Sequence, residues 1–167
     1  QYAVVAAQQA VADAGLVVDD SNAEEVGVIF GSAGGGYGFI LDQERTFQER
    51  GARRVSPFLI SHMLPDASSG HIAIMLGAQG PNFCPGSACA TGTTAVGEAM
   101  ETIRRGDARA IVCGGTDEPI LPVLIAGFQA LRAMASDPDP AKACKPFDAR
   151  RNGFVIGEGA AALVLES

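Results

Sequence analysis

Apolar and polar positions alternate between two spacings along this chain, and the alternation lays out its elements. Residues 1–14 (QYAVVAAQQAVADA) are rich in alanine, the strongest helix former, and Gly15 follows as a C-cap. Residues 26–30 form a short unbroken apolar run, which predicts a strand leading into the glycine loop 31–38. Residues 39–50 return to an amphipathic helical spacing that Gly51 ends. Asp66 is placed to cap a helix running to Leu76, with Gly77 beyond it. Residues 82–87 read as a buried strand entering Cys89, and a helix follows to Arg105, capped by Gly106. Residues 108–113 are a further β-rich run, 121–134 an apolar, buried helix, and 159–166 a buried strand. The Pro- and Asp-rich stretch 136–146 is a surface loop.

Strands alternating with helices predict an α/β layered fold whose central strands are largely parallel. No internal repeat and no linker interrupts the pattern, so residues 1–167 are one domain or a piece of one. The chain starts at Gln1 without Met or a capping residue, and it stops at Ser167 just after an apolar run. It reads as truncated at both ends.

Composition narrows the class. Apolar residues make up 47% of the chain and charged residues 19%, which excludes intrinsic disorder. Twelve Lys and Arg against nineteen Asp and Glu give a net charge of −7, arguing against nucleic acid or an anionic membrane surface as partner. No segment approaches the roughly 20 uninterrupted apolar residues of a membrane helix, and no basic stretch precedes an apolar one as in a signal peptide. The four cysteines, Cys84, Cys89, Cys113 and Cys144, form no C-x-x-C pair, and neither histidine stands at a zinc-ligand spacing from them. Reduced thiols in the cytoplasm are the expectation, with no metal.

Three patterns of nucleotide-binding proteins and hydrolases are absent. Glycines at 31, 34, 35, 36 and 38 never satisfy G-x-G-x-x-G, no Gly-Lys pair exists for a phosphate loop, and no G-x-S-x-G occurs. The glycine loop is then a turn where backbone closely approaches another surface. Residues 81–92 (PNFCPGSACATG) are different. An apolar strand enters a run of small residues around Cys89, and a helix begins immediately after it. Unpaired N–H groups and the positive end of the macrodipole favour negative charge there, and thiolate is the nucleophilic form of cysteine. Ala88, Ala90 and Gly92 leave room for an acyl group. The alternative is a buried cysteine in a small-residue turn, the role also assigned to Cys113 on its core strand. Cys84 reads as a strand residue, and Cys144 as a loop one.

Gly80-Pro-Asn82, Ser87-Ala-Cys-Ala-Thr-Gly92, Arg105-Gly-Asp-Ala108 and Cys113-Gly-Gly-Thr116 together resemble the β-ketoacyl-acyl carrier protein synthases. Gly127-Phe128, Arg132-Ala-Met134, Lys145-Pro-Phe-Asp148 and Arg151-Asn-Gly-Phe-Val-Ile-Gly-Glu-Gly159 fit the same family. The match runs the whole length of the chain and is nearest to the elongating type II enzymes and polyketide ketosynthase domains. It implies a thiolase-like fold, two α/β halves in alternating αβαβα layers. This chain would be most of the N-terminal half of an enzyme that is a homodimer at full length.

The resemblance implies a 3-oxoacyl-acyl carrier protein synthase, working by decarboxylative Claisen condensation. Cys89 would take the growing acyl chain as a thioester, with its own backbone N–H in the oxyanion hole. Malonyl-carrier protein would supply the carbanion. No cofactor is implied for the chain itself, because both substrates ride on the phosphopantetheine of acyl carrier protein. Ala88, Gly34 and Phe128 match positions at the acyl site, Gly34 standing where the elongating type II enzyme has a bulky residue at the pocket bottom. Arg53, Arg54 and Arg132 match basic positions where the acidic carrier protein docks, so a chain of net −7 would still bind an acidic partner locally. The two further histidines and the lysine of the family come from its C-terminal half. His71, on the helix before the active-site strand, and His62, a partly buried loop residue, do not replace them. Cys84, Pro85 and Gly86 depart from the family's more usual aliphatic run. Two alternatives stand beside this one: a thiolase acting on coenzyme A esters, and a non-catalytic chain-length partner subunit.

Overall fold

Val26–Gly31 forms strand β1, and each of its residues is buried. Its β-branched and aromatic run lies at the centre of a four-stranded sheet in the order β2-β1-β3-β4, with β2 Asn82–Phe83, β3 Ala110–Asp117 and β4 Gly159–Glu166. β1 runs parallel to β2 and β3, pairing Val28 with Asn82 and with Val112, whereas β4 runs antiparallel to β3. The computed structural model describes every residue from Gln1 to Ser167. It has two compact units, residues 1–117 with 159–167 and residues 118–158.

Alternation along the strands makes two cores in the first unit. Val28, Phe30 and Val112 face one side and pack with Ala3 and Ala7 of helix α1 (Tyr2–Ala14). After α2 (Tyr37–Arg50) and the single-turn α3 (Leu59–Met63), helix α4 (Ala67–Leu76) adds Ile72 and Ala73 to the same core. Ile29, Ile111 and Cys113 face the other side, against Ala95 and Ala99 of α5 (Thr91–Arg104). On α5, Thr91, Ala95, Ala99 and Thr102 form a buried stripe at helical spacing, small enough to bring its axis close to the strands. Phe30, Ile29, Ile72 and Ile111 are fully buried, each contributing about 1.5–3 kcal/mol. Ion pairs such as Arg109–Glu25, 73% and 50% exposed, contribute about 0–1 kcal/mol each. Burial of the strands therefore holds this unit together.

Glycine stops matched expectation. Gly15, Gly77 and Gly106 take left-handed backbone (φ 66°, 74° and 80°) after α1, α4 and α5. Asp66 stands at the N-cap of α4, although its side chain makes no capping bond. The first glycine-loop helix starts two residues earlier than the amphipathic pattern indicated, at Tyr37.

Three buried elements were overcalled. The strand expected over 82–87 is only Asn82–Phe83 and is exposed; Pro85 offers no ladder N–H, so Cys84 lies just outside it. The strand at 159–166 is half-buried, with Leu163 52% exposed, because it is the antiparallel edge with a neighbour on one side only. The buried helix expected over 121–134 is α6, Pro122–Ala130, with no residue buried. It ends early because Arg132 adopts φ 56° and the Ala133 N–H turns back to the Phe128 carbonyl oxygen at 3.1 Å.

In the second unit the 136–146 stretch contains a one-turn helix, α7 (Pro140–Ala143), with Cys144 at its end. The Asp139 side chain caps α7 by accepting from the Ala141 N–H at 3.1 Å. Lys145 Nζ meets Asp137 Oδ2 at 2.6 Å with both side chains mostly buried, so part of this loop is internal. Donation from Lys145, then from the Asp139 N–H, holds the Asp137 carboxyl below its ordinary range.

Candidate active site

The start of α5 is seated against the carboxyl ends of the two parallel strands that follow each other in the sheet. A Cβ added to Gly115 of β3 would stand 2.9 Å from Gly92 Cα. One added to Gly31, the last residue of β1, would stand 2.2 Å from Thr91 Cγ2. Only glycine at both strand ends lets the helix come this close. Carboxyl ends of parallel strands are where α/β sheets bind ligands, since backbone and loops converge there.

Cys89 lies at this junction. It is the middle residue of a 3₁₀ turn, Ala88–Ala90, that runs directly into α5. The cysteine is exposed, and no disulfide involves it. Ala88 before it takes φ 50°, a left-handed conformation that costs a non-glycine residue on the order of 1–3 kcal/mol. The turn is over-determined by its neighbours: the Ser87 N–H donates to Thr91 Oγ1 at 3.0 Å, and the Ser87 and Thr94 hydroxyls bond at 2.6 Å. The Ala90 and Thr91 N–H groups donate to the Ser87 and Ala88 carbonyl oxygens, while the Cys89 N–H donates to no acceptor in the chain. An exposed thiol and an unused backbone donor on one residue are two groups of the kind that an acyl-transfer step can use, as nucleophile and as oxyanion donor.

A second construction completes this end of the sheet. Ser32, following β1, donates its hydroxyl to Asp117 Oδ1 at 3.0 Å, and the Ala33 N–H donates to both carboxylate oxygens at 3.1 and 3.2 Å. Ser32 Oγ in turn accepts from the Gly35 N–H at 2.9 Å. On the far side, a Cβ on Gly35 or Gly36 would press on the Met63 or His62 carbonyl oxygen, at 2.5 and 2.2 Å. The glycine loop is thus clamped between Asp117 and the residue 62–63 backbone. Sequence reasoning missed Ser32, Asp117, Ser87 and Thr94. An acidic residue ending the Cys113–Thr116 run was the available signal for Asp117.

Ala88, Cys89 and Gly34 belong to the first unit, at the loops following β1 and preceding α5. Phe128 belongs to the second, half-buried and edge-on to Phe154 with ring centroids 5.1 Å apart. Arg53 and Arg54 are exposed on a 3₁₀ turn after α2, and Arg132 is in the second unit. His71 is exposed on α4, as its helix placement anticipated. His62 differs: it is exposed, on α3, with its ring tilted against Phe39 at 5.0 Å between centroids and edge-on to Phe58 at 5.9 Å. Its Nδ1 bonds the Phe58 carbonyl oxygen, a helix-internal contact. Cys113 is fully buried on β3, and burial pushes its thiol up to about 11. It is core, as its strand indicated.

The family model described as the β-ketoacyl synthase N-terminal domain matches residues 1–167. The chain belongs to the β-ketoacyl synthase family. It is 47% identical over its whole length to 3-oxoacyl-[acyl-carrier-protein] synthase 2 of Staphylococcus aureus (strain N315), of which it covers 40%. It is 45% identical over 166 residues to the protein of the same name from a Synechocystis species, again covering 40%. Among solved structures it resembles a β-ketoacyl synthase from Burkholderia phymatum with TM-score 0.86 and 35% identity, over 99% of this chain and 41% of that one. A type II polyketide ketosynthase, in complex with its acyl-carrier protein and bound to a hexaketide, matches at TM-score 0.83 and 28% identity, over 100% and 43% of the two chains. The architecture is therefore that of the thiolase-like ketosynthases. This β-ketoacyl synthase chain spans about 40% of the length of the curated relatives it matches.

Proposed function

We propose that this chain is the N-terminal part of a 3-oxoacyl-acyl carrier protein synthase and carries its nucleophile, Cys89. One observation carries the reading: the exposed Cys89 thiol and its undonated N–H, presented together by a strained turn at the carboxyl ends of β1 and β3. Cys89 Sγ attacks the carbonyl carbon of an acyl thioester on carrier protein. The carbonyl oxygen becomes an oxyanion, and the Cys89 N–H donates to it. Collapse expels the phosphopantetheine thiolate and leaves the acyl group on Sγ. Malonyl-carrier protein then loses carbon dioxide, and the electron pair left on its α-carbon attacks the Cys89 thioester. The Cys89 thiolate departs, and the 3-oxoacyl product is two carbons longer.

Ala88, Gly34 and Phe128 line the acyl site in this reading, while Arg53, Arg54 and Arg132 receive the acidic carrier protein. The complete enzyme is a cytoplasmic homodimer, and residues 1–167 are part of its N-terminal ketosynthase domain. Both curated relatives are named for the acyl-carrier protein, which favours carrier-bound substrates over a thiolase on coenzyme A esters. The presence of Cys89 favours a catalytic subunit over a chain-length partner.

The test is acylation of the full-length protein by acyl-carrier protein, followed by peptide mass analysis. A stable acyl adduct is expected on Cys89 and is lost in Cys89→Ala. Reversing Arg53 and Arg54 to Glu is expected to raise the concentration of carrier protein needed while leaving the adduct on Cys89. Transfer from acyl-coenzyme A with carrier protein inert would support the thiolase instead. No adduct from either donor would remove both.

A further inference from the structure

Ser87, two residues before Cys89, is tied by its N–H and its hydroxyl to the helix that follows. The N–H donates to Thr91 Oγ1 at 3.0 Å, and the hydroxyl bonds the Thr94 hydroxyl at 2.6 Å. Thr91 and Thr94 stand three apart on α5, so their hydroxyls share one helix face, toward the turn. That face does not give way. Thr91 is buried with its γ-methyl in the space over Gly31, and Ala95, next to Thr94, is fully buried in the core beneath α5.

The direction of the Cys89 N–H follows from the peptide unit it belongs to. Between Ala88 and Cys89 the N–H and the carbonyl point opposite ways, because a trans peptide is planar. The Ala88 carbonyl oxygen accepts from the Thr91 N–H, which fixes that plane from the helix side. On the other side Ala88 holds φ 50°, which a non-glycine residue keeps only where its surroundings impose it. Ser87 supplies that constraint, and the bond to Thr94 is the one hydrogen bond its side chain makes. Without it Ala88 is freer to relax to ordinary backbone, and relaxation turns the Cys89 N–H.

We infer that Thr94 is a positioning residue for acyl transfer: acting through Ser87, its hydroxyl keeps the Cys89 N–H aimed at the carbonyl oxygen of the acyl thioester. Thr94 itself touches no reacting atom. The inference rests on the ketosynthase reading above, in which that N–H receives the oxyanion. An oxyanion donor works only when it stands about 2.7–3.1 Å from the developing charge, so small rotations of its peptide matter. Removing such a donor outright costs about 100–1000-fold in rate. Losing one hydrogen bond that steadies it is expected to cost about 3–10-fold.

The experiment compares two reactions of Cys89 in the full-length protein, each followed by peptide mass analysis. Acylation by acyl-carrier protein passes through an oxyanion. Alkylation by iodoacetamide displaces iodide at a saturated carbon and forms none, so it does not use the N–H. Thr94→Val keeps the branched shape and removes the hydroxyl. It is expected to slow acylation at saturating carrier protein about 3–10-fold, with the half-saturating concentration and the alkylation rate unchanged. Thr94→Ser, which keeps the hydroxyl, is expected to restore the wild-type acylation rate. Acylation unchanged in Thr94→Val, or slowed only in step with alkylation, would overturn the role of Thr94 and leave the ketosynthase reading standing. Wild-type protein that is alkylated at Cys89 but never acylated there would overturn both. Should Thr94→Val fail to fold, Ser87→Ala severs the same bond and decides the matter by the same two rates.

Discussion

The Ser32 hydroxyl donates to Asp117 Oδ1 at 3.0 Å, joining residues 85 apart in sequence at the carboxyl ends of β1 and β3. Asp117 also accepts from the Ala33 N–H through both oxygens. A single carboxylate thus ties the glycine loop to the strand beside it. Hydrogen bonds to a charged group are worth about 1.5–3 kcal/mol each, but Ala33 is exposed and its N–H can turn to water. Asp117→Ala is expected to lower unfolding stability by about 1–3 kcal/mol in denaturant titration. Amide exchange at Gly35 should quicken in the same variant. Unchanged stability together with unchanged exchange would mean that the carboxylate does not hold the loop.

The close approach of Gly115 and Gly92 is asymmetric. A Cβ on Gly115 would press on Gly92 Cα at 2.9 Å, whereas one on Gly92 would meet Gly115 Cα at an ordinary 3.7 Å. Gly115→Ala is expected to destabilise by about 1–3 kcal/mol, the usual cost of overpacking. Gly92→Ala lies near the start of α5 and is expected to change stability by no more than about 1 kcal/mol, the gain from helix propensity offsetting any contact strain. Thermal unfolding of the two variants tests this, and equal losses would contradict it.

Cysteine chemistry separates the core thiol from the exposed ones. Iodoacetamide on the native protein is expected to modify Cys89 and Cys144, which are exposed, and to spare Cys113, which is fully buried. Burial raises the Cys113 thiol from 9.0 to about 11. The folded state therefore retains a proton that the unfolded state gives up. Its contribution to stability is complete below pH 9.0 and is lost progressively as pH rises toward about 11. Denaturation curves across that window should fall less steeply with pH in Cys113→Ala than in the parent protein. Native-state alkylation of Cys113 near neutral pH would refute this assignment.

Much of the local structure was legible in the sequence because its causes are local. Gly15, Gly77 and Gly106 end helices by a backbone preference that each glycine carries with it. The alanine-rich opening helix and the apolar run at 26–30 needed no knowledge of their neighbours. Cys89 was recognisable because small residues, a strand entry and a helix start sit within a dozen positions of it. Apolar composition misled at 121–134 and 159–166. It reports that a segment can be buried, whereas burial itself depends on what lies against it, and β4 has a strand on one side only.

By itself, the sequence determined most of the helix and strand segments, where several of them stop, and that a cysteine among small residues stands before α5. Only the tertiary structure decided the strand order and the antiparallel edge. It also decided the Ser32–Asp117 bond and the Gly31 and Gly115 seats for α5. Those features depend on how separate segments of chain are brought together, chiefly by burial of β1 and β3. A distance across 85 positions of chain follows from packing, not from any residue's own preference.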